Sequence, residues 1–168
     1  AMALGAAADP ELARRFGQAL GRDLRLLGFN MNFAPVLDVS SNPDNPVIGI
    51  RSFGSSPKSV GDLGVGYVQG LQSEGILAVA KHFPGHGDTD SDSHYHLPVL
   101  AHDKARLDEV ELRPFARAFA EGLDAIMTAH IALPALTDSG DLPATVSERV
   151  LTRLLREELG YDGLVITD

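Results

Sequence analysis

The chain has no cysteine, which excludes a disulfide framework and any thiolate chemistry. It also lacks an apolar run approaching the roughly 18–20 residues that a membrane-crossing helix needs, so no membrane-spanning segment is predicted. The first ten residues, AMALGAAADP, have neither the basic segment nor the apolar segment of a signal peptide. Positive charge is scarce: 14 Lys and Arg stand against 23 Asp and Glu, a net charge of −9. The summed field repels phosphate backbones and anionic membrane surfaces, which speaks against nucleic acid as a partner. None of these absences sets a compartment, and localisation stays unassigned. What is there, 44% apolar and 22% charged residues, is the composition of an ordinary globular protein with one core.

The pattern of apolar residues alternates between two periods. Asp9-Pro10 reads as a helix cap followed by proline at the first helical position, and Leu12, Phe16, Ala19, Leu20, Leu24 and Leu27 then recur at helical spacing up to Gly28. Phe29 to Val39 (FNMNFAPVLDV) reads as a buried strand, and a Pro/Asn/Ser/Gly-rich loop follows through Ser56. The unit then repeats. Ser56-Pro57 opens a helix carrying Val60, Leu63, Tyr67, Val68 and Leu71, and Ile76 to Phe83 (ILAVAKHF) is the next strand. A helical stretch from about Leu107 to Glu121, broken near Pro114, leads into LDAIMTAHI, residues 123–131. Ser147 caps a last helix with Leu151, Leu154, Leu155 and Leu159, and Gly160 ends it before GLVITD, residues 163–168.

Four helix-then-strand units with strands apolar on both faces predict an α/β fold with a parallel sheet covered by helices. No Gly-rich phosphate turn follows any strand, which removes the main signal for a dinucleotide-binding sheet. Polar residues follow instead: Asp38, then Lys81 and His82, then Thr128 and His130, then Thr167 and Asp168. In a (β/α)8 barrel, side chains at those strand ends share one mouth, so a partial TIM barrel is the expected architecture. Such a barrel has eight strands and takes about 250 residues. Residues 1–168 are therefore expected to be an internal part of one barrel domain, truncated at both ends, with unpaired strand edges available for association.

The densest chemistry lies in KHFPGHGDTDSDSHYHLP, Lys81 to Pro98, which holds four of the six histidines together with Asp88, Asp90 and Asp92. A surface loop of merely solvated charges is the plainest explanation, but a loop of about 20 residues after a buried strand is usually functional or disordered. A metal site fits poorly: His82 and His86 are four apart, yet Pro84 and Gly85 between them exclude a helical ligand pair. The third explanation is acid/base work. Asp92 and His94 are two apart, so the carboxylate is placed to accept the ring N–H, fix the tautomer and stabilise the imidazolium. Spacing alone leaves His96 and His86 as alternatives to His94. Asp168 is either a cap for a following helix or a carboxylate facing the same mouth. Lys81 and His82 are placed to hydrogen-bond a polar substrate. Arg51 is as readily a loop salt-bridge former, and Asp38 and His130 are weaker candidates, suited to organising loops behind the site.

Taken together, KHFPGHGDTDSDSH, NFAPVLDV, RSFG, MTAHI and LLREELGYDGLVITD resemble glycoside hydrolase family 3, in its β-N-acetylglucosaminidase (β-hexosaminidase) branch. The five segments lie in order along nearly the whole chain. The resemblance implies a retaining exo-β-N-acetylglucosaminidase that acts on N-acetylglucosamine-terminated carbohydrate, peptidoglycan muropeptides or chitin-type oligosaccharides, through a covalent glycosyl-enzyme intermediate. It implies Asp168 as nucleophile, Asp92 and His94 as an acid/base dyad, and Arg51, Lys81 and His82 as binders of the sugar hydroxyls. No cofactor and no metal enter this reading. The chain departs from the family in lacking the upstream Asp-x-Glu-Gly-Gly element and in ending on the nucleophile. The alternatives are a family 3 β-glucosidase, an N-acetylglucosaminide phosphorylase, a metal-dependent hydrolase, and an inactive sugar-binding fragment.

Overall fold

The computed structural model describes residues 1–91, 96–137 and 139–168. In chain order the helices and strands are α1 (Met2–Ala7), α2 (Pro10–Leu26), β1 (Met31–Asn32), α3 (Pro57–Ser73) and β2 (Leu77–Phe83). There follow α4 (Lys104–Glu109), α5 (Arg113–Phe119), β3 (Ala125–Thr128), α6 (Pro134–Thr137), a π-helix (Arg149–Glu158) and β4 (Leu164–Ile166). Single turns of 3-10 helix lie at Gly49–Arg51 and Ala144–Val146.

The four strands form one sheet in the order β1-β2-β3-β4, every neighbour parallel. Strands that are consecutive in sequence and adjacent in space, each reached through a helical crossover, form an arc of a barrel rather than a doubly wound sheet whose order reverses. The fold is thus the expected partial (β/α) barrel. β1 is shorter than the apolar run predicts. Proline cannot donate to a ladder, and Pro35, joined to Ala34 by a cis peptide, interrupts the strand. Pairing resumes beyond it: Lys81 N–H donates to Pro35 O at 3.0 Å and Leu37 N–H to Lys81 O at 2.6 Å. The stretch around Pro114 is two short helices, α4 and α5, with the break where predicted. The last helix is capped as expected, Ser147 Oγ accepting from Val150 N–H at 3.3 Å. It winds as a π-helix, Leu159 N–H reaching back to Leu154 O.

Helix α2 differs most from its sequence pattern. Its buried residues are Ala13, Gly17 and Gly21, while Phe16 and Leu26 are exposed. The face that meets α3 is built for close approach: a Cβ on Gly17 would collide with Tyr67 O, and one on Gly66 or Gly70 with the α2 backbone at Pro10 or Arg14. Backbone-to-backbone packing excludes the large side chains, so the leucines Leu12, Leu20 and Leu24 lie at the margin, half-buried against the core.

The sheet sorts its side chains by the two-residue period of a strand. Ala78, Ala80, Ile126 and Val165 pack on the helix side, in one core with Val60, Leu63, Leu71, Phe115 and Leu155. Val79, Ala125 and Met127, with Met31 and Ile166, form a separate small cluster on the other side. One step along this inner face from Val79 is Lys81, and one step from Ile166 is Asp168. Among the described residues no helix is long and apolar enough to cross a membrane.

Candidate active site

The site forms where the strands end and the first and second loops begin. Lys81 and His82 are the fifth and sixth residues of β2, joined by a cis peptide, and Phe83-Pro84 is cis as well. Strand alternation sends Lys81 to the inner face. Its ammonium is held below its ordinary pKa, first by partial burial and then by the Arg51 cation, against the opposing pull of the Asp168 and Asp38 carboxylates. Asp168 itself is exposed at the end of β4. Its charge reaches both Lys81 and His86, so the expected nucleophile lies within electrostatic range of the expected sugar-binding lysine and of a histidine of the second loop.

Beneath them is Asp38, completely buried. One oxygen accepts the backbone N–H of His86 at 2.7 Å and that of His82 at 3.2 Å, and the other takes the His82 Nδ1–H at 2.6 Å. Burial alone would raise the carboxyl, but His82 and the His86 N–H outweigh it and hold the group below the usual carboxylate range. These contacts set the His82 tautomer. Its Nε2 lies 3.4 Å from Arg51 Nη2, and a guanidinium has only donors, so the ring proton sits on Nδ1 and the Nε2 lone pair faces Arg51. Arg51 is exposed and is steadied from its own 3-10 turn by donating to Val47 O at 3.2 Å. Arg51, Lys81, His82 and Asp168 are thus brought together.

His86 is buried, its ring edge-on to that of His82 with centroids 5.9 Å apart. Its Nδ1 lies 2.7 Å from Thr89 Oγ1, and its Nε2 has no partner among the described residues. Burial pushes its pKa down, with Asp38 and Asp168 pulling the other way. The first loop holds this segment in turn: Asn45 Nδ2 donates to His86 O at 2.9 Å, and its Oδ1 accepts from Val47 and Ile48 N–H, both at 2.8 Å.

The expected acid/base pair, Asp92 and His94, lies outside the described residues. His130, one of the weaker candidates, is exposed, and Thr128 is turned to Thr145 Oγ1 at 3.2 Å. Asp38 organises the loops behind the site, as its sequence position suggested, and the residues that sequence reading missed are Asn45 and Thr89. The signal was available for Asp38: a carboxylate at the end of an apolar run, ahead of a loop rich in backbone donors and histidines. For Asn45, in a loop already full of turn-forming residues, there was none. Among the described residues no cluster of three or more His, Asp or Glu has the arrangement of a metal site.

Comparison with known proteins adds to this geometry. The family model for the glycosyl hydrolase family 3 N terminal domain matches residues 1–168. Beta-hexosaminidase A of Pseudoalteromonas piscicida is 46% identical over 168 residues, covering 93% of this chain and 28% of that protein. A beta-N-acetylglucosaminidase/beta-glucosidase of Cellulomonas fimi is 37% identical over 175 residues, covering 99% of this chain and 31% of its own length. The chain therefore spans less than a third of these two curated relatives. Among solved structures, a glycoside hydrolase family 3 beta-N-acetylglucosaminidase from Paenibacillus sp. str. FPU-7 superposes with a TM-score of 0.98 at 55% identity, over 99% of this chain and 32% of that one. NagZ from Neisseria gonorrhoeae, in complex with N-trifluoroacetyl-D-glucosamine, superposes with a TM-score of 0.91 at 34% identity, over 98% of this chain and 50% of its own.

Proposed function

The chain belongs to glycosyl hydrolase family 3, and from this premise we propose that residues 1–168 are the internal part of the catalytic barrel of a retaining exo-β-N-acetylglucosaminidase. The substrate is a carbohydrate ending in β-linked N-acetylglucosamine, from peptidoglycan muropeptides or chitin-type oligosaccharides. The observation that carries the reading is the buried Asp38 carboxylate that orients His82 toward Arg51 at the end of β2, with Asp168 at the end of the sheet within electrostatic range of Lys81 and His86. The internal position is supported by the outer strands β1 and β4, by the exposed Phe29 and Phe33 flanking β1, and by the greater length of the relatives.

In this reading Asp168 attacks the anomeric carbon and forms a glycosyl-aspartate, while His94, as imidazolium held by Asp92, protonates the leaving oxygen. Neutral His94 then takes a proton from water, which attacks the intermediate and releases the sugar with retained configuration. Retaining enzymes with two carboxyl groups hold them about 5–5.5 Å apart; an imidazole as the second group alters that spacing but keeps the order of steps. Lys81 and Arg51 donate to sugar hydroxyls. The His82 Nε2 lone pair, released from Arg51 as the guanidinium turns to the ligand, accepts from one. Arg51 and Lys81 hold positive charge beside the nucleophile, so a negatively charged acceptor in place of water is the variant this site would tolerate.

The test is hydrolysis of an aryl β-N-acetylglucosaminide and an aryl β-glucoside by the full-length protein, with product configuration followed by NMR. The expected result is preference for the N-acetylglucosaminide and retention. Asp168→Ala is expected to lower kcat by about a thousandfold or more, and His94→Ala by about 10²–10⁴-fold. Clear preference for the glucoside would leave the second reading, a family 3 β-glucosidase, which the dual name of the Cellulomonas fimi relative brings into view. Unchanged activity in either variant would remove the assigned roles.

A further inference from the structure

Away from Asp38 and His82, a second cluster of charge, part-buried apart from the fully buried Glu111, grips the same loop. The stem that leaves β2, Pro84 to Thr89, is buried at every residue but Asp88, which is half-buried. Asp88 Oδ1 accepts the Ser41 hydroxyl of the first loop at 2.9 Å. Its Oδ2 is held by a hydrogen bond with His102 Nε2, and the Arg106 guanidinium stands 3.8 Å from the same oxygen. Arg106 Nη2 also donates to Glu111 Oε1 at 3.0 Å. Glu111 is 2% exposed, and its Oε2 and the Arg106 Nε are buried without partners among the described residues. The Glu111 side chain presses on the stem itself, since a Cβ on Gly85 would lie 2.7 Å from its own Cβ. Gly85 has φ +141°, a conformation that favours glycine, so the chain passes this point with no side chain of its own.

Setting one fully buried carboxylate, Glu111, against a part-buried guanidinium, imidazole and second carboxylate, with two atoms unpaired, is a poor route to stability, because desolvation offsets much of the attraction. Such clusters do fix geometry. This one clamps the stem between the first loop (Ser41) and the α4 region (His102, Arg106, Glu111), at a residue four positions before Asp92 and six before His94. Holding the stem at Asp88 fixes the chain just ahead of the expected acid/base pair in the sequence. We propose that Asp88, His102, Arg106 and Glu111 form a positioning device for the acid/base segment, with Asp88 and His102 as positioning residues. The proposal rests on the reading of His94 as the proton donor.

Leaving-group dependence separates positioning from general support of the fold, because an activated aryl group departs without protonation and a poor one does not. The experiment uses the full-length protein with Asp88→Asn, His102→Leu and the conservative His102→Gln, which keeps a donor toward Asp88. For each, kcat/KM is measured on the dinitrophenyl and the phenyl β-N-acetylglucosaminide, alongside the melting temperature. Asp88→Asn and His102→Leu are expected to lose about tenfold or more on the phenyl substrate and to stay within about twofold on the dinitrophenyl one, with His102→Gln recovering most of the loss. If a variant fails to fold, Ser41→Ala, which removes only the first-loop contact, is expected to give the same skew on a smaller scale. Equal losses on both substrates, or no loss in a folded variant, would overturn the proposal. If the unsubstituted protein cleaves neither substrate, or His94→Ala keeps its full kcat/KM on the phenyl one, the underlying reading fails and this proposal goes with it.

Discussion

Asp38 and His82 are bound to each other through a 2.6 Å contact between Oδ2 and Nδ1, and both side chains are almost completely buried. The carboxylate closes the loop after β1 onto the end of β2, so one residue sets the ring that faces Arg51 and the backbone that carries His86. Replacing it by alanine strands three donors away from water. Asp38→Ala is expected to lower the unfolding free energy by about 3–5 kcal/mol, the range for breaking a buried pair. Asp38→Asn, which keeps one acceptor oxygen, is expected to cost about 1–3 kcal/mol. Urea denaturation checks both, and an alanine variant within about 1 kcal/mol of the parent would mean that water replaces the carboxylate.

The burial of His86 ties stability to pH. Its folded pKa lies below the ordinary 6.5, so on acidification the unfolded chain takes up a proton before the folded one does. The folded state is favoured in full above the unfolded pKa, and this contribution drains away as pH falls from about 6.5 through the folded value. Other groups titrate too, so the quantity to measure is the difference between the parent and His86→Gln, whose amide can still meet Thr89 but has no proton to gain. Between about pH 8 and pH 5 the parent's urea midpoint is expected to fall more steeply than the variant's. Parallel slopes would show that His86 is solvated in solution.

How much of this was legible beforehand depends on the kind of signal. The alternation of periods predicted four strands, their parallel order and the helices between them, because strand and helix periods are written in apolar positions that also form the core. The same logic misjudged α2, where Leu12, Phe16, Leu20 and Leu24 mark an apolar face but the contact with α3 is made by Gly17 and Gly21. Glycine carries no hydrophobic signal, and its value as a close-contact residue depends on a partner helix that is not local in sequence. Likewise Lys81, His82 and Asp168 were readable as polar residues at the ends of apolar runs. Their nearness to one another depends on which face of the sheet each one takes, and on the register that pairs Ile126 with Val165. The Asp88 cluster spans residues 41 to 111, and no local pattern announces it.

That glycine face gives a direct test. A Cβ on Gly70 would collide with Arg14 O and come within 2.7 Å of Gln18 N, both backbone atoms of α2 that cannot rotate aside. Gly70→Ala should therefore push the two helices apart and cost about 1–3 kcal/mol, despite the better helix propensity of alanine. Gly140→Ala, where a Cβ meets nothing within 4 Å, is the control and is expected to be near neutral. Thermal denaturation of the pair checks this, and equal melting temperatures would show that the helices separate at no cost.

The strand that leads to Asp168 has its own lock. Arg156 Nη1 donates to Tyr161 O and Gly163 O, each at 2.8 Å, and its guanidinium lies 5.5 Å from the Tyr161 ring centroid. Tyr161 in turn stacks on Phe119 with centroids 4.3 Å apart, tying the turn before β4 to α5. Arg156 thus fixes both ends of the turn that feeds Leu164 into the sheet, four residues ahead of Asp168. Lysine cannot reproduce this geometry, since its single ammonium offers neither the planar fork nor the stacking face of a guanidinium. Arg156→Ala and Arg156→Lys are both expected to lose about 1–3 kcal/mol of stability. If Asp168 is the nucleophile, they should also lower kcat more than they change KM, because a carboxylate displaced by a fraction of an ångström still allows the sugar to bind but attacks it poorly. Steady-state kinetics of the full-length variants at a temperature where they remain folded decides the matter. A rise in KM with kcat intact would place the effect of Arg156 on sugar binding instead of on the attacking carboxylate.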